Sequence, residues 1–190
     1  FQTDPEPTMN GRRVYWPRGR GLGGSSSING LIFIRGQRAD YDRWAAAGNK
    51  GWGWDDVLPY FQRSLFSTSD IGARHELMEA IIGAANERGI PSTRDFNGGD
   101  QEGVGYYQLF TKNGWRSSSA TAYLRPAEGR PNLRIEVEAH ATRILFQGSR
   151  ATGVCYRRNG QEFKVQANRE VILSAGALQS PQLLQLSGIG

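Results

Sequence analysis

Cysteine is almost missing from this 190-residue chain. Cys155 stands alone, which excludes an intrachain disulfide and any multi-cysteine metal site. Its neighbours Val154 and Tyr156 read as strand, so it is expected to be a small packed side chain and not a nucleophile. Histidine is nearly as scarce. His75 and His140 lie far apart, without a histidine partner at metal-ligand spacing, and both read as structural. No apolar run reaches the roughly 18 residues of a membrane span, and no charged, apolar, small-residue leader opens the chain.

Clustered positive charge is absent as well. The net charge is +5 and the sequence pI about 9.7, yet lysine and arginine are spread out, with only short doublets such as Arg12-Arg13 and Arg157-Arg158. No basic helix face is legible, so nucleic acid is not an expected partner. The basic balance fits an anionic cofactor or the cytoplasmic face of a membrane.

Glycine is what the chain has in excess: 25 residues, about twice the usual share. The 38% of hydrophobic residues is enough for a core in one domain or in parts of two. The entry, 1 to 17, is extended and proline-bearing, with Arg13 to Trp16 as a short strand candidate. From Ser25 to Ile34 a helix capped by Ser25 or Ser26 competes with a strand over the last four residues. Helices are expected over Asp40 to Ala47, Trp54 to Arg63 and Glu76 to Arg88, the last stopped by Gly89. Short strands are expected over Leu133 to Val137, Ala141 to Phe146, Ala151 to Arg157 and Glu162 to Gln166, as an antiparallel meander. An apolar strand, Glu170 to Leu173, then enters Ser174-Ala175-Gly176, and a helix from about Ser180 to Leu186 follows, ending at Gly188. The architecture reads as mixed α and β, with two interleaved domains.

Gly19-Arg20-Gly21-Leu22-Gly23-Gly24 satisfies G-x-G-x-x-G, but Pro17 and Arg18 interrupt the strand that the dinucleotide fingerprint requires. A Walker loop fails too, since Ser25 stands where its lysine should be. Two readings stay open on these residues alone: backbone amides placed for an anion, or a tight turn and nothing more.

A wider pattern bears on that choice. Gly19 through Asn29, continued by Phe33, Gly36 and Asp42, resembles the first signature of the glucose-methanol-choline oxidoreductase family, and Gly176 through Gly190 resembles the second. Asp40-Tyr41-Asp42-Arg43-Trp44, Gly51-Trp52-Gly53-Trp54, Asp95-Phe96-Asn97-Gly98 and Gly103 through Tyr107 are similar to its choline-dehydrogenase and alkanol-dehydrogenase branch.

The resemblance implies part of an FAD-binding Rossmann-like domain, α/β, interleaved with part of an antiparallel-sheet, α+β substrate domain. Residues 1–64 and 133–190 then belong to the FAD-binding part and 65–132 to the substrate part. It implies non-covalent FAD, because Ile28 occupies the place of the histidine that some relatives link to the flavin. The cofactor contacts it implies are Arg20, Gly23, Gly24 and Ser25 at the pyrophosphate and Asn29 at the flavin edge or the substrate. Ala141 would meet the adenine, with Ser174, Ala175 and Gly176 near the adenosine portion. All are expected to line one elongated groove. Asn29 has a plainer reading as a capping asparagine, and Trp52 and Trp54 read as packing.

Family members are longer, and the resemblance places their dinucleotide fingerprint before Phe1 and their catalytic histidine pair after Gly190. No catalytic residue is therefore assigned here beyond Asn29 as a flavin-edge contact, and the 190 residues alone are expected not to oxidise alcohols. The family loop with His-Gly and Gly-Pro has no counterpart at Ser64 to Thr68. The implied activity of the parent enzyme is oxidation of a primary alcohol to an aldehyde, with a quinone or oxygen as electron acceptor. A cytoplasmic location, or a peripheral seat on the inner membrane, goes with it. A non-redox member of hydroxynitrile lyase or photodecarboxylase type, or an inactive binding or structural fragment, is the alternative.

Overall fold

Leu77, Ile81, Ala84 and Ala85 recur at helical spacing, and in the computed structural model, which describes residues 1–190, they lie on a helix as expected. Three helices come first along the chain: α1 Arg38–Ala46, α2 Trp54–Gln62 and α3 Glu76–Glu87. Each start has a local reason. The Asp40 and Asp56 carboxylates accept the backbone amides of Gln37 and Gly53, and the His75 ring accepts the Leu77 amide. The chain divides into two compact units, Phe1–Leu133 and Arg134–Gly190.

In the first unit Tyr41 is buried between α1 and α2, with the rings of Trp44, Trp54 and Phe61 within 5.4–5.9 Å. Aromatic pairs of this kind contribute about 0.5–1.5 kcal/mol each beyond the area they bury. Strand β1, Ile32–Phe33, pairs antiparallel with β2, Gln108–Leu109. The strand reading of Leu31 to Ile34 therefore prevails over the helical one. Gly24–Ser27 forms only a single 3-10 turn, begun by Gly23 and without a side-chain cap; the chain leaves it at Ile28 and turns through Leu31, at φ +67°, into the pairing of β1 with β2. Arg13 to Trp16 supplies only an isolated bridge, Gln2 with Tyr15.

A hairpin pairs β3, Thr111–Lys112, with β4, Trp115–Arg116, across Asn113-Gly114. Both turn residues have positive φ, 52° and 79°. Asn-Gly adopts this two-residue turn readily, since asparagine tolerates and glycine favours the left-handed region. Ser118 then exchanges hydrogen bonds with Thr121: the Ser118 amide donates to Thr121 Oγ1 at 2.8 Å, and the Thr121 amide to Ser118 Oγ at 3.3 Å. This reciprocal cap opens a helical stretch that runs as one π turn, Ala120–Leu124, into α4, Arg125–Ala127.

The second unit is a three-stranded antiparallel meander of β5 His140–Gln147, β6 Arg150–Arg158 and β7 Gln161–Gln166, with α5, Gln179–Leu186, packed on β5. Ile144, Cys155 and Leu183 are its buried apolar residues, and Cys155 is fully enclosed, as its strand context indicates. The register shifts once on each of β5 and β6, leaving Thr142 and Thr152 unpaired. Each threonine turns its hydroxyl to the opposite strand, to Cys155 O and Leu145 O, both at 3.3 Å.

Two expected strands do not form. Leu133 to Val137 and Glu170 to Leu173 run without ladder partners. Hydrophobicity alone does not make a strand; an edge with free donors and acceptors must lie alongside. Ile172 is accordingly 79% exposed. No helix is long and apolar enough to cross a membrane.

Candidate functional site

The first-signature loop is closed from inside. Ser25 Oγ accepts the Gly19 amide at 3.2 Å, the Gly24 amide reaches Gly21 O at 3.0 Å, and the Ile28 and Asn29 amides both reach Ser25 O. Gly23 sits at φ +89°, and a β-carbon there would lie 2.5 Å from Ser27 Oγ and 3.2 Å from Ala120 Cβ. A side chain here would carry the strain of a positive φ and would have to push Ser27 Oγ aside.

The π turn is what the loop rests on. Ser119 donates its amide to Ser26 Oγ at 3.0 Å and its hydroxyl to Gly23 O at 3.1 Å. Arg116, at the end of β4, donates from Nη1 to Asn29 Oδ1 at 2.8 Å, Asn29 O at 2.9 Å and Ser26 O at 3.2 Å. Arg20, Gly21, Leu22 and Ser25 are exposed, and the amides of Arg20, Gly21, Leu22 and Gly23 make no hydrogen bond within the chain. Consecutive free N–H groups on a glycine backbone, with an unpaired arginine among them, are the donor set that a diphosphate requires.

Asn29 is exposed, but its amide oxygen is engaged twice, by Arg116 and by the Leu31 amide at 3.2 Å. Leu31 has φ +67°, an uncommon conformation for leucine, and its carbonyl accepts the Phe110 amide at 2.7 Å. Strain of this kind, of order 1–3 kcal/mol, concentrates at functional sites.

In the second unit Ala141 lies exposed on β5 opposite Tyr156, beside the Thr142 bulge. Ser174, Ala175 and Gly176 form an exposed turn before α5, closed by the Ala175 amide on Ser180 Oγ at 3.1 Å and the Ser180 amide on Gly176 O at 3.0 Å. At the far end of α5, Ser187 Oγ accepts the Ile144 amide at 2.8 Å and so ties the second signature to β5.

Sequence reasoning passed over Arg116 and Ser119. A signal existed: Asn113-Gly114 between β-forming residues marks a hairpin, and the hairpin fixes where Arg116 emerges. A cavity of about 600 Å³ in the first unit, lined by Arg74, Glu79, Arg94 and Tyr106 among others, contains none of the candidate residues. Desolvation and the nearby Glu79 carboxylate raise the Tyr106 hydroxyl above its ordinary pKa.

The family model for GMC oxidoreductases matches residues 6–190. The chain belongs to the GMC oxidoreductase family. It is similar to mitochondrial choline dehydrogenase of Mus musculus, 44% identical over 207 aligned positions that cover all of this chain and 34% of the relative. To oxygen-dependent choline dehydrogenase 1 of Chromohalobacter salexigens it is 47% identical over 210 positions, all of this chain and 37% of the relative. Among solved structures, an FAD-dependent oxidoreductase from Chaetomium thermophilum superposes with a TM-score of 0.93 at 30% identity, over all of this chain and 38% of that one. The chain thus spans about a third of the length of these GMC relatives. Both sequence alignments run longer than the 190 residues here, so the relatives carry positions with no counterpart in this chain.

Proposed function

We propose that this chain is the flavin-cradling part of an FAD-dependent alcohol dehydrogenase that converts a primary alcohol to its aldehyde, with residues 1–64 and 133–190 assigned to the cofactor and 65–132 to the substrate side. The observation that carries the proposal is the first-signature loop: braced by Ser119 and Arg116, it leaves the amides of Arg20, Gly21, Leu22 and Gly23 without a partner in the chain and the Arg20 side chain exposed and unpaired. When bound, FAD supplies a two-electron acceptor for the hydride of the alcohol, and a quinone or oxygen then takes the electrons.

The roles assigned to the chain's residues are binding and orientation. The Arg20 to Gly23 amides, Gly24 and the Arg20 side chain hold the diphosphate, while Ser25 keeps the loop closed on Gly19. Asn29 offers its amide NH₂ to the flavin edge or the substrate oxygen. Ala141 and the Ser174 to Gly176 turn offer main-chain groups to the adenosine part. Choline is the first substrate to test, because relatives more than 40% identical are named for it.

The full-length parent should purify with FAD, and its visible flavin absorbance should bleach when choline or a straight-chain primary alcohol is added without oxygen. A parent that carries no flavin overturns the cofactor assignment. One that carries flavin no alcohol reduces overturns the activity. With Ile28 at the position where some relatives have a histidine, acid precipitation should leave a colourless pellet and yellow supernatant; a yellow pellet refutes non-covalent attachment.

A further inference from the structure

We infer that Arg116 is a positioning residue that sets which end of the Asn29 amide faces outward; this rests on the assignment of Asn29 to the flavin edge. The two ends of an asparagine amide are told apart only by their partners. Here both partners at the inner end are donors, the Arg116 guanidinium at 2.8 Å and the Leu31 amide at 3.2 Å. Two donors require the oxygen. The NH₂ end is consequently turned away from the loop, and no group of the chain accepts from it.

Arg116 is suited to this task by its place in the fold. The Asn113-Gly114 turn fixes the register of β4, so Arg116 pairs with Thr111 and emerges at a defined point. Its side chain is half-buried and has no carboxylate partner. The acceptors of its Nη1 are instead oxygens of the signature loop: Ser26 O, Asn29 O and Asn29 Oδ1. A guanidinium on the amide oxygen also polarises the amide and strengthens the outward N–H as a donor. Leu31 completes the arrangement. Its left-handed conformation aims its amide at the same oxygen, and the Phe110 amide on Leu31 O holds it there.

The test uses the full-length, FAD-loaded parent with choline or the best primary alcohol, reading the flavin spectrum, its reduction potential, kcat and KM separately. Asn29→Ala should lower kcat by about 10- to 100-fold, as expected for lost orientation at a reacting centre, and shift the flavin spectrum. If it changes neither, the flavin-edge reading of Asn29 fails whatever Arg116 does. Arg116→Gln should reproduce the kcat loss and the spectral shift at normal FAD content, and adding Asn29→Ala to it should cost little more. Arg116→Lys should recover part of kcat, since it keeps a cation but not the forked geometry.

Should Arg116→Gln fail to fold, Asn29→Asp carries the test. Aspartate keeps an oxygen for Arg116 and Leu31 and replaces only the outward NH₂ by a second oxygen. Expected are retained FAD and melting temperature with kcat reduced as in Asn29→Ala. Wild-type kcat in Asn29→Asp overturns the inference, as does an Arg116→Gln protein that holds FAD with unchanged spectrum and kcat while Asn29→Ala is impaired.

Discussion

The signature loop of the first unit and the meander of the second are both glycine-bearing, yet they are held in opposite ways. In the meander nearly every restraint is local. β5, β6 and β7 pair with their sequence neighbours, and Ser187 fastens α5 to the free edge of β5. The loop depends on residues far along the chain: Arg116 reaches Asn29 across 87 positions and Ser119 reaches Gly23 across 96. A ladder can form as its own hairpins close, whereas the loop takes its shape only once distant segments have assembled. Damage to the meander should therefore read as lost stability, and damage to the loop as lost ligand binding.

Two glycines sharpen this contrast most strongly. A β-carbon on Gly19 would lie 2.1 Å from Gly24 O, and one on Gly153 would lie 2.2 Å from Val165 O. Overpacking of this sort costs about 1–3 kcal/mol. In the full-length parent, Gly19→Ala should weaken FAD retention by about ten- to a hundredfold, that cost expressed as binding. Gly153→Ala should lower the melting temperature while leaving the flavin-to-protein ratio near wild type. Equal FAD loss in the two variants would dissolve the distinction.

Ser187→Ala comes next in size. It strands the amide of buried Ile144, so a stability loss of about 1–3 kcal/mol is expected in chemical denaturation. Unchanged stability would show that α5 is held by its apolar contacts alone. Ser26→Ala and Ser119→Ala should each cost about 1 kcal/mol and, because the two hydroxyls share one network, fall short of additivity when combined. Strict additivity would mean that Ser119 does not brace the loop through Ser26. Arg38→Ala is the smallest: its ion pair with Asp55 is exposed, and the change should stay within about 0.5 kcal/mol by the same denaturation assay.

Much of the fold was legible because it is written in short-range patterns. The helix at Glu76, the three strands of the meander and the turn at Ser174 follow from periodicity and punctuation, and the structure has them within a residue or two. The failures have one cause. Ser25 and Ser26 resembled helix caps, but their hydroxyls serve Gly19 and Ser119, partners chosen by tertiary packing. Leu133 to Val137 and Glu170 to Leu173 have strand composition but no neighbouring edge to pair with.

The sequence by itself determined the family, through two long signatures in order, and the chemistry on offer: glycine amides, an arginine and an asparagine beside one another. Only the tertiary structure decided which of those groups find partners within the chain. Ser25 Oγ accepts the Gly19 amide, and the oxygen of Asn29 is taken by Arg116. A residue's donors and acceptors are fixed by its type, but which of them remain free depends on what the fold brings alongside, and here that is a hairpin and a π turn about ninety positions further along the chain.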